Sequence, residues 1–172
     1  MSLSDIEKQL GLEGPVGHPP VEKWSPPLSG DMDMVIRKDG TWVHEGDPIK
    51  REKLVRLFAS ILKKEGGDYF LVTPVEKWRI QVEDRPLLVQ LIDKRGDQLQ
   101  LVTNGGDSLI VGDDHPLKAS ELDGVMVPEV RVRNNLWARF SRNAYYQISE
   151  LATEQSDGSF AIQSGGRAFV VG

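Results

Sequence analysis

The chain contains no cysteine. That absence removes thiol nucleophiles, disulfide staples, Cys-ligated zinc and iron–sulfur centres together. Histidine is scarce: His18, His44 and His115 are the 3 present in 172 residues. None has a second histidine three or four positions away, the spacing that puts two ligands on one helix face, so no metal site is assigned. Positive charge is in deficit, with 21 Lys and Arg against 26 Asp and Glu and a formal net charge of −5. Nucleic acid and anionic membrane surfaces call for a basic face that this balance does not supply, so neither is expected as a partner. No apolar run approaches the ~18 residues of a membrane-spanning helix. The opening Met1-Ser2-Leu3-Ser4-Asp5-Ile6-Glu7-Lys8 lacks the basic start and apolar stretch of a secretory signal. A cytoplasmic protein is expected.

Catalytic signatures are missing too. There is no Gly-Lys-Ser/Thr phosphate loop, no Gly-x-Gly-x-x-Gly after a strand, no Gly-x-Ser-x-Gly elbow and no His-Glu-x-x-His. The carboxylate pairs Asp31/Asp33 and Asp113/Asp114 suit turns and caps better than acid–base work. No catalytic residue and no cofactor are assigned, and binding is favoured over catalysis. What the chain does have is a core: 39% of its residues are hydrophobic, and a chain of this length buries roughly 70% of its unfolded surface.

Residues 1–31 read as an N-terminal helix over 2–10 followed by a proline-rich arm. Pro15, Pro19, Pro20, Pro26 and Pro27 fix φ and remove backbone donors, so the arm is expected to be extended and pinned by Trp24. Residues 32–84 read as a ββαββ domain. Asp39-Gly40 between apolar runs is a hairpin signal, and Asp47-Pro48 reads as a helix start. Leu54, Leu57, Phe58, Ile61 and Leu62 then keep helical spacing until Gly66-Gly67 ends the helix. Strands are expected at Tyr69–Val72 and Trp78–Val82, separated by the turn at Thr73-Pro74.

Residues 85–172 begin with a three-stranded meander over Leu87–Val111, bent at Arg95-Gly96-Asp97 and Asn104–Asp107. Residues 112–128 read as loop. A second hairpin turns at Asn134-Asn135, and a helix with Ala144, Ile148 and Leu151 on one face follows. Two strands around Gly165-Gly166 close the chain. An offset of 90 residues sets Leu54 on Ala144, Phe58 on Ile148, Phe70 on Phe160 and Ile80 on Val170. The reading is an α+β fold in which a ββαββ unit on antiparallel sheets is duplicated. The meander lies between the copies, and the first copy carries about five extra residues around Glu45–Pro48.

Polar residues at strand ends and turns form the candidate site. Thr73, Glu76 and Lys77 share one tight turn; Thr103 and Asn104 end a strand; His115 follows in the loop; Arg51 lies in the first turn of a helix, beside unpaired N–H groups. Together they offer the donors that a small anion or a polar ring edge needs. The same residues can instead be structural. Thr73 and Asn104 can cap turns, Glu76 can pair with Lys77, and Arg51 can be solvated.

Many segments, among them Trp24-Ser25-Pro26-Pro27, Gly30-Asp31-Met32-Asp33-Met34, Asp39-Gly40-Thr41-Trp42 and Gly46-Asp47-Pro48-Ile49-Lys50-Arg51, resemble those of the DUF1285 family of uncharacterised proteobacterial proteins. Leu71–Lys77, Thr103-Asn104, His115-Pro116-Leu117 and Val132-Arg133 continue the resemblance from about residue 20 onward. It implies a duplicated α+β fold whose C-terminal part is superficially similar to pleckstrin-homology folds. It also implies a site for a nucleotide-like ligand at the interface of the halves and a role in signal transduction; it brings no enzyme activity with it. Two functions are carried forward. One is a non-catalytic module that binds or senses a small anionic ligand; the other is an interaction protein that docks a partner chain through the proline-rich arm or a sheet edge.

Overall fold

A computed structural model describes residues 5–6 and 18–172. Of the expected helix over 2–10, Asp5 and Ile6 are helical and Ile6 is fully buried; the rest lies outside the described residues. The described part of the arm is not uniformly extended. Val21–Lys23 forms one 3₁₀ turn. Buried Val21 anchors it, while Trp24 is half-buried and its carbonyl accepts a hydrogen bond from Lys63 Nζ at 3.0 Å.

The chain divides into two units, Met1–Arg37 with Thr41–Glu83, and Lys38–Gly40 with Asp84–Gly172. Unit one runs β1 (Gly30–Ile36), β2 (Trp42–His44), β3 (Asp47–Pro48), α1 (Glu52–Ser60), β4 (Leu62–Glu65), β5 (Asp68–Val72) and β6 (Lys77–Val82). Unit two runs β7 (Leu87–Arg95), β8 (Gln98–Thr103), β9 (Ser108–Ile110), β10 (Leu117–Leu122), β11 (Val125–Arg133), β12 (Leu136–Phe140), α2 (Arg142–Leu151), β13 (Thr153–Glu154), β14 (Phe160–Ser164) and β15 (Arg167–Val170). The α+β class and the repetition of halves both stand.

The repetition takes a different form from the offset of 90. Each unit holds a six-stranded sheet, ordered β3-β2-β1-β6-β5-β4 in one and β10-β11-β12-β7-β8-β9 in the other. In both, two antiparallel meanders meet at one central parallel pair, β1 with β6 and β12 with β7. The meander over 87–111 is therefore half of the second sheet rather than an insertion. The offset does place α1 on α2 and β6 on β15, yet β13, β14 and β15 form a separate three-stranded sheet. Helix α2 packs on β7, β12 and β14. Parallel partners far apart in sequence leave no local pattern, which is why spacing alone misses them.

Three local readings are corrected. Asp47-Pro48 is strand β3 paired with Val43 and His44, and Arg51 occupies the N-cap position of α1. The helix ends at Ser60, and Gly66-Gly67 turns the β4–β5 hairpin, with Gly66 at φ +60°. Ile61 and Leu62 are fully buried either way, so an apolar match could not tell helix from strand. Within 112–128, Leu117–Leu122 is strand β10, joined to β11 through Asp123-Gly124. Its Lys118, Ser120 and Glu121 suit an edge strand, where polar side chains are tolerated.

The cores follow the pleat. Along β8, Leu99, Leu101 and Thr103 are buried and alternate with more exposed Gln98, Gln100 and Val102, and each buried aliphatic contributes about 1.5–3 kcal/mol. Trp42 is buried against Phe58, ring centroids 6.4 Å apart, with its Nε1 unpaired. Among the described residues no helix is long and apolar enough to cross a membrane.

Candidate functional site

The structure distributes the candidate residues over both units. In unit one, Thr73 is buried, and its Oγ1 accepts N–H bonds from Val75 at 3.3 Å and Glu76 at 3.0 Å. The Thr73 N–H donates to the Glu76 carbonyl at 2.9 Å, closing the turn. Lys77 pairs not with Glu76 but with Glu65, Nζ to Oε2 2.6 Å, and its ammonium lies 4.4 Å from the Phe70 ring centre. That hydrogen bond is the main reason the Glu65 carboxyl is held below its ordinary pKa; burial is the next largest effect and opposes it, and the charge of Lys77 and then Lys63 add to the lowering. Arg51 is exposed, and its carbonyl, not its side chain, accepts the first helical N–H bonds, from Leu54 and Val55.

In unit two, Thr103 is buried and donates to Asp107 Oδ2 at 2.8 Å, while its Oγ1 accepts from the N–H of Gly105 and of Asp107. Arg133 pairs with the other oxygen of Asp107 at 2.9 Å. Asn104 clamps Leu88: its Oδ1 accepts the Leu88 N–H at 3.0 Å, and its own N–H donates to the Leu88 carbonyl at 2.8 Å. Asn104 Nδ2 donates to the Gly40 carbonyl at 3.3 Å. The side chains of Thr73 and Asn104 are thus engaged with backbone, and that of Thr103 with backbone and the Asp107 carboxylate.

His115 is placed differently. It lines an open cavity of about 440 Å³ with Gln98, Asp113, Asp114, Ser164 and Arg167. Its Nδ1 is 3.1 Å from the Arg131 carbonyl. A carbonyl only accepts, so Nδ1 carries the proton and Nε2 of the neutral ring is left as an acceptor. Ser164 is buried, accepting the Leu99 N–H and donating to the Val111 carbonyl. Arg167 forms an ion pair with Asp113, and both side chains are largely exposed, 58% and 75%. Of the residues singled out from sequence, His115 lines this cavity; Arg167 and Gln98 were missed. The offset that sets Arg167 on Lys77 was the available signal. Each cation opens the last strand of a hairpin, lies over a phenylalanine ring and is ion-paired.

A second polar constellation also escaped the sequence. Arg139 and Glu129 are buried, 4% and 1% exposed, and join Asp84, Arg85 and Ser120. Arg139 Nη1 donates to Ser120 Oγ at 2.8 Å, and the Ser120 hydroxyl donates to Glu129. The register that pairs Val130 with Ala138 sets Glu129 across from Arg139. Opposite charges at inward positions of adjoining strands were the trace left in the sequence. Two guanidinium groups and two carboxylates balance here, so the cluster is a structural joint.

Two mixed α+β units, each built on a six-stranded sheet with a central parallel pair, define the class of the protein. Residues 19–85 match the N-terminal domain, and residues 86–171 the C-terminal domain, of DUF1285, a family described as of unknown function. The chain belongs to the DUF1285 family. It is similar to the crystal structure of a DUF1285 protein from Silicibacter pomeroyi DSS-3, with 37% identity over 99% of this chain and 94% of that one and a TM-score of 0.87. A DUF1285 protein from Shewanella baltica OS155 is 30% identical over 69% of this chain and 91% of that one, with a TM-score of 0.56. No curated protein matches the chain.

Proposed function

We propose that this protein is a non-catalytic binding module that takes a small nucleotide-like anion in the polar cavity around His115 and Arg167. The observation that carries the reading is the lining itself, which combines a guanidinium, an imidazole, an amide and two carboxylates around about 440 Å³. A phosphate would exchange for Asp113 on Arg167. That exchange is cheap, because an exposed pair contributes only about 0–1 kcal/mol, whereas a guanidinium holds phosphate through two parallel charge-assisted bonds. Asp114 disfavours a bare phosphate and suits the N–H groups of a base edge, so a nucleotide fits better than inorganic phosphate. The hydroxyl of Ser164 is committed to backbone, which leaves it unavailable as a nucleophile.

In this reading the second unit acts as a pleckstrin-homology-like scaffold of sheet and helix in a cytoplasmic signalling protein. The test is a thermal-melt screen of the full chain with nucleoside monophosphates and with inorganic phosphate, since a ligand that binds only the native state raises the melting point. A nucleotide is expected to raise it more than phosphate does. Arg167→Ala should weaken the binding roughly tenfold or more, the range for a bond to a charged group. Failure of every nucleotide at millimolar concentration, or an unchanged affinity in Arg167→Ala, would sink the proposal.

A further inference from the structure

Helix α2 leaves one stripe facing a groove. Tyr145, Ser149 and Ala152, spaced i, i+4 and i+7, line about 300 Å³ together with Met126, Pro128 and Phe160. Past Pro128 and Tyr145 the groove continues into a hollow of about 220 Å³, where Leu122, Phe140, Tyr146 and Arg142 join the lining. Met126, Tyr146 and Phe160 remain 55%, 54% and 46% exposed, an adjoining set of large apolar side chains of the kind that marks a binding surface.

Side-chain charge is confined to one end, and the backbone of the last residue, Gly172, lines the other. The charged side chains that line either part are Arg139 and Arg142, with no side-chain carboxylate between them. Arg139 is committed to Asp84, Ser120 and Glu129. Arg142 is exposed and has no ion pair or side-chain hydrogen bond with a described residue. It opens a ten-residue helix whose first turn holds no acid, so the guanidinium and the positive end of the helix share one corner. From Arg142 to Ala152 the helix rises about 15 Å at 1.5 Å per residue, a span suited to an extended acyl tail.

We propose that this groove binds an amphipathic carboxylate, a medium-chain acyl anion whose tail lies along α2 and whose head meets Arg142. The apolar lining selects the tail. The free cation, with no carboxylate side chain beside it, selects an anionic head over a neutral or cationic one.

The experiment compares sodium dodecanoate, dodecanol and dodecylamine with the full chain by calorimetry and thermal melt, each below its micelle-forming concentration. Dodecanoate should bind tightest, dodecanol weaker, and dodecylamine not at all. Arg142→Gln should weaken dodecanoate roughly tenfold or more, as for a lost bond to a charged group, and leave dodecanol unchanged. Ala152→Phe, which fills the far end, should weaken both; Ser149→Phe carries the same test should Ala152→Phe melt early. Equal binding of the three probes, no binding of dodecanoate, or indifference of dodecanoate to Arg142→Gln or to a filled groove would overturn the assignment. So would a concentration-dependent dimer that Ala152→Phe abolishes and dodecanoate does not compete with, because the groove would then belong to a second copy of the chain.

Discussion

Arg139 and Asp84 meet side-on, with Nε donating to Oδ2 at 2.8 Å and Nη2 donating to Oδ1 at 3.3 Å. The same guanidinium also reaches Glu129 at 3.3 Å, so one buried cation serves two carboxylates. Removing one partner of a buried pair costs about 3–5 kcal/mol, since the charge left behind is uncompensated. Arg139→Met is expected in that range. Arg85→Met should cost less, because Arg85 is 28% exposed and Arg139 would still serve both carboxylates. Urea denaturation of the two variants, with unchanged m-values, tests the order; equal losses would refute it.

Gly40 sits at φ +89°, and a Cβ there would lie 2.7 Å from Leu88 Cδ2 and 3.3 Å from Leu88 Cβ. Gly40→Ala therefore combines backbone strain with a clash, whereas Gly66 at φ +60° has open space around it. Gly66→Ala is expected to cost about 1–2 kcal/mol from strain alone, and Gly40→Ala clearly more. Adding Leu88→Ala should recover part of the difference. Strict additivity in that double mutant would show that the clash is not the cause.

The two helix starts are expected to respond oppositely. Ser141 Oγ accepts the Ala144 N–H at 3.2 Å, so Ser141→Ala should cost about 0.5–2 kcal/mol. Arg51 holds the equivalent position of α1 without a side-chain cap, so Arg51→Ser should stabilise by about 0.5–1 kcal/mol through a new cap. The same variant shows whether Arg51 belongs to the ligand site. With the proposed cavity around Arg167, its nucleotide affinity should equal that of the parent.

Glu65 titrates below its ordinary value of 4.5, chiefly through the Lys77 hydrogen bond. A depressed folded-state pKa adds stability that is present above the unfolded value and lost as pH falls through the folded one. Because Glu65 is 41% exposed, solvent screening limits that gain to about 0.5 kcal/mol. Lys77→Met should move the Glu65 carboxyl resonance back toward the ordinary titration range and flatten this part of the acid profile. An unmoved titration curve would assign the shift to another group.

Local chemistry was legible in the sequence and long-range pairing was not. Asp39-Gly40 and Asn134-Asn135 announced their turns because the backbone conformation there depends on the residues at the bend. Ile61 and Leu62 misled because burial is common to helix and strand. The partnership of β7 with β12 left no trace, since the two strands meet only after the chain has travelled through β11. The site divided in the same way. Thr73 and Thr103 hold the turns that follow them through their hydroxyls, while Asn104 is engaged with Leu88 and Gly40. Arg167 became visible as a cavity residue once the fold had carried β15 beside the loop of His115.

The central parallel pairs carry a consequence for the order in which the protein is made. Each joins the first strand of one meander to the last strand of the next, so β1 waits for β6 and β7 waits for β12. Closing so long a loop adds only about 0.6 kcal/mol per doubling of its length, but such distant contacts slow folding. While the chain emerges from the ribosome, β7 can pair with β8 on one side and has nothing on the other until Phe140 is out. Leu87, Leu88 and Val89, buried in the finished sheet, then sit on an open strand edge that can template association with another nascent chain. A fragment that stops between β9 and β12 would keep that edge permanently.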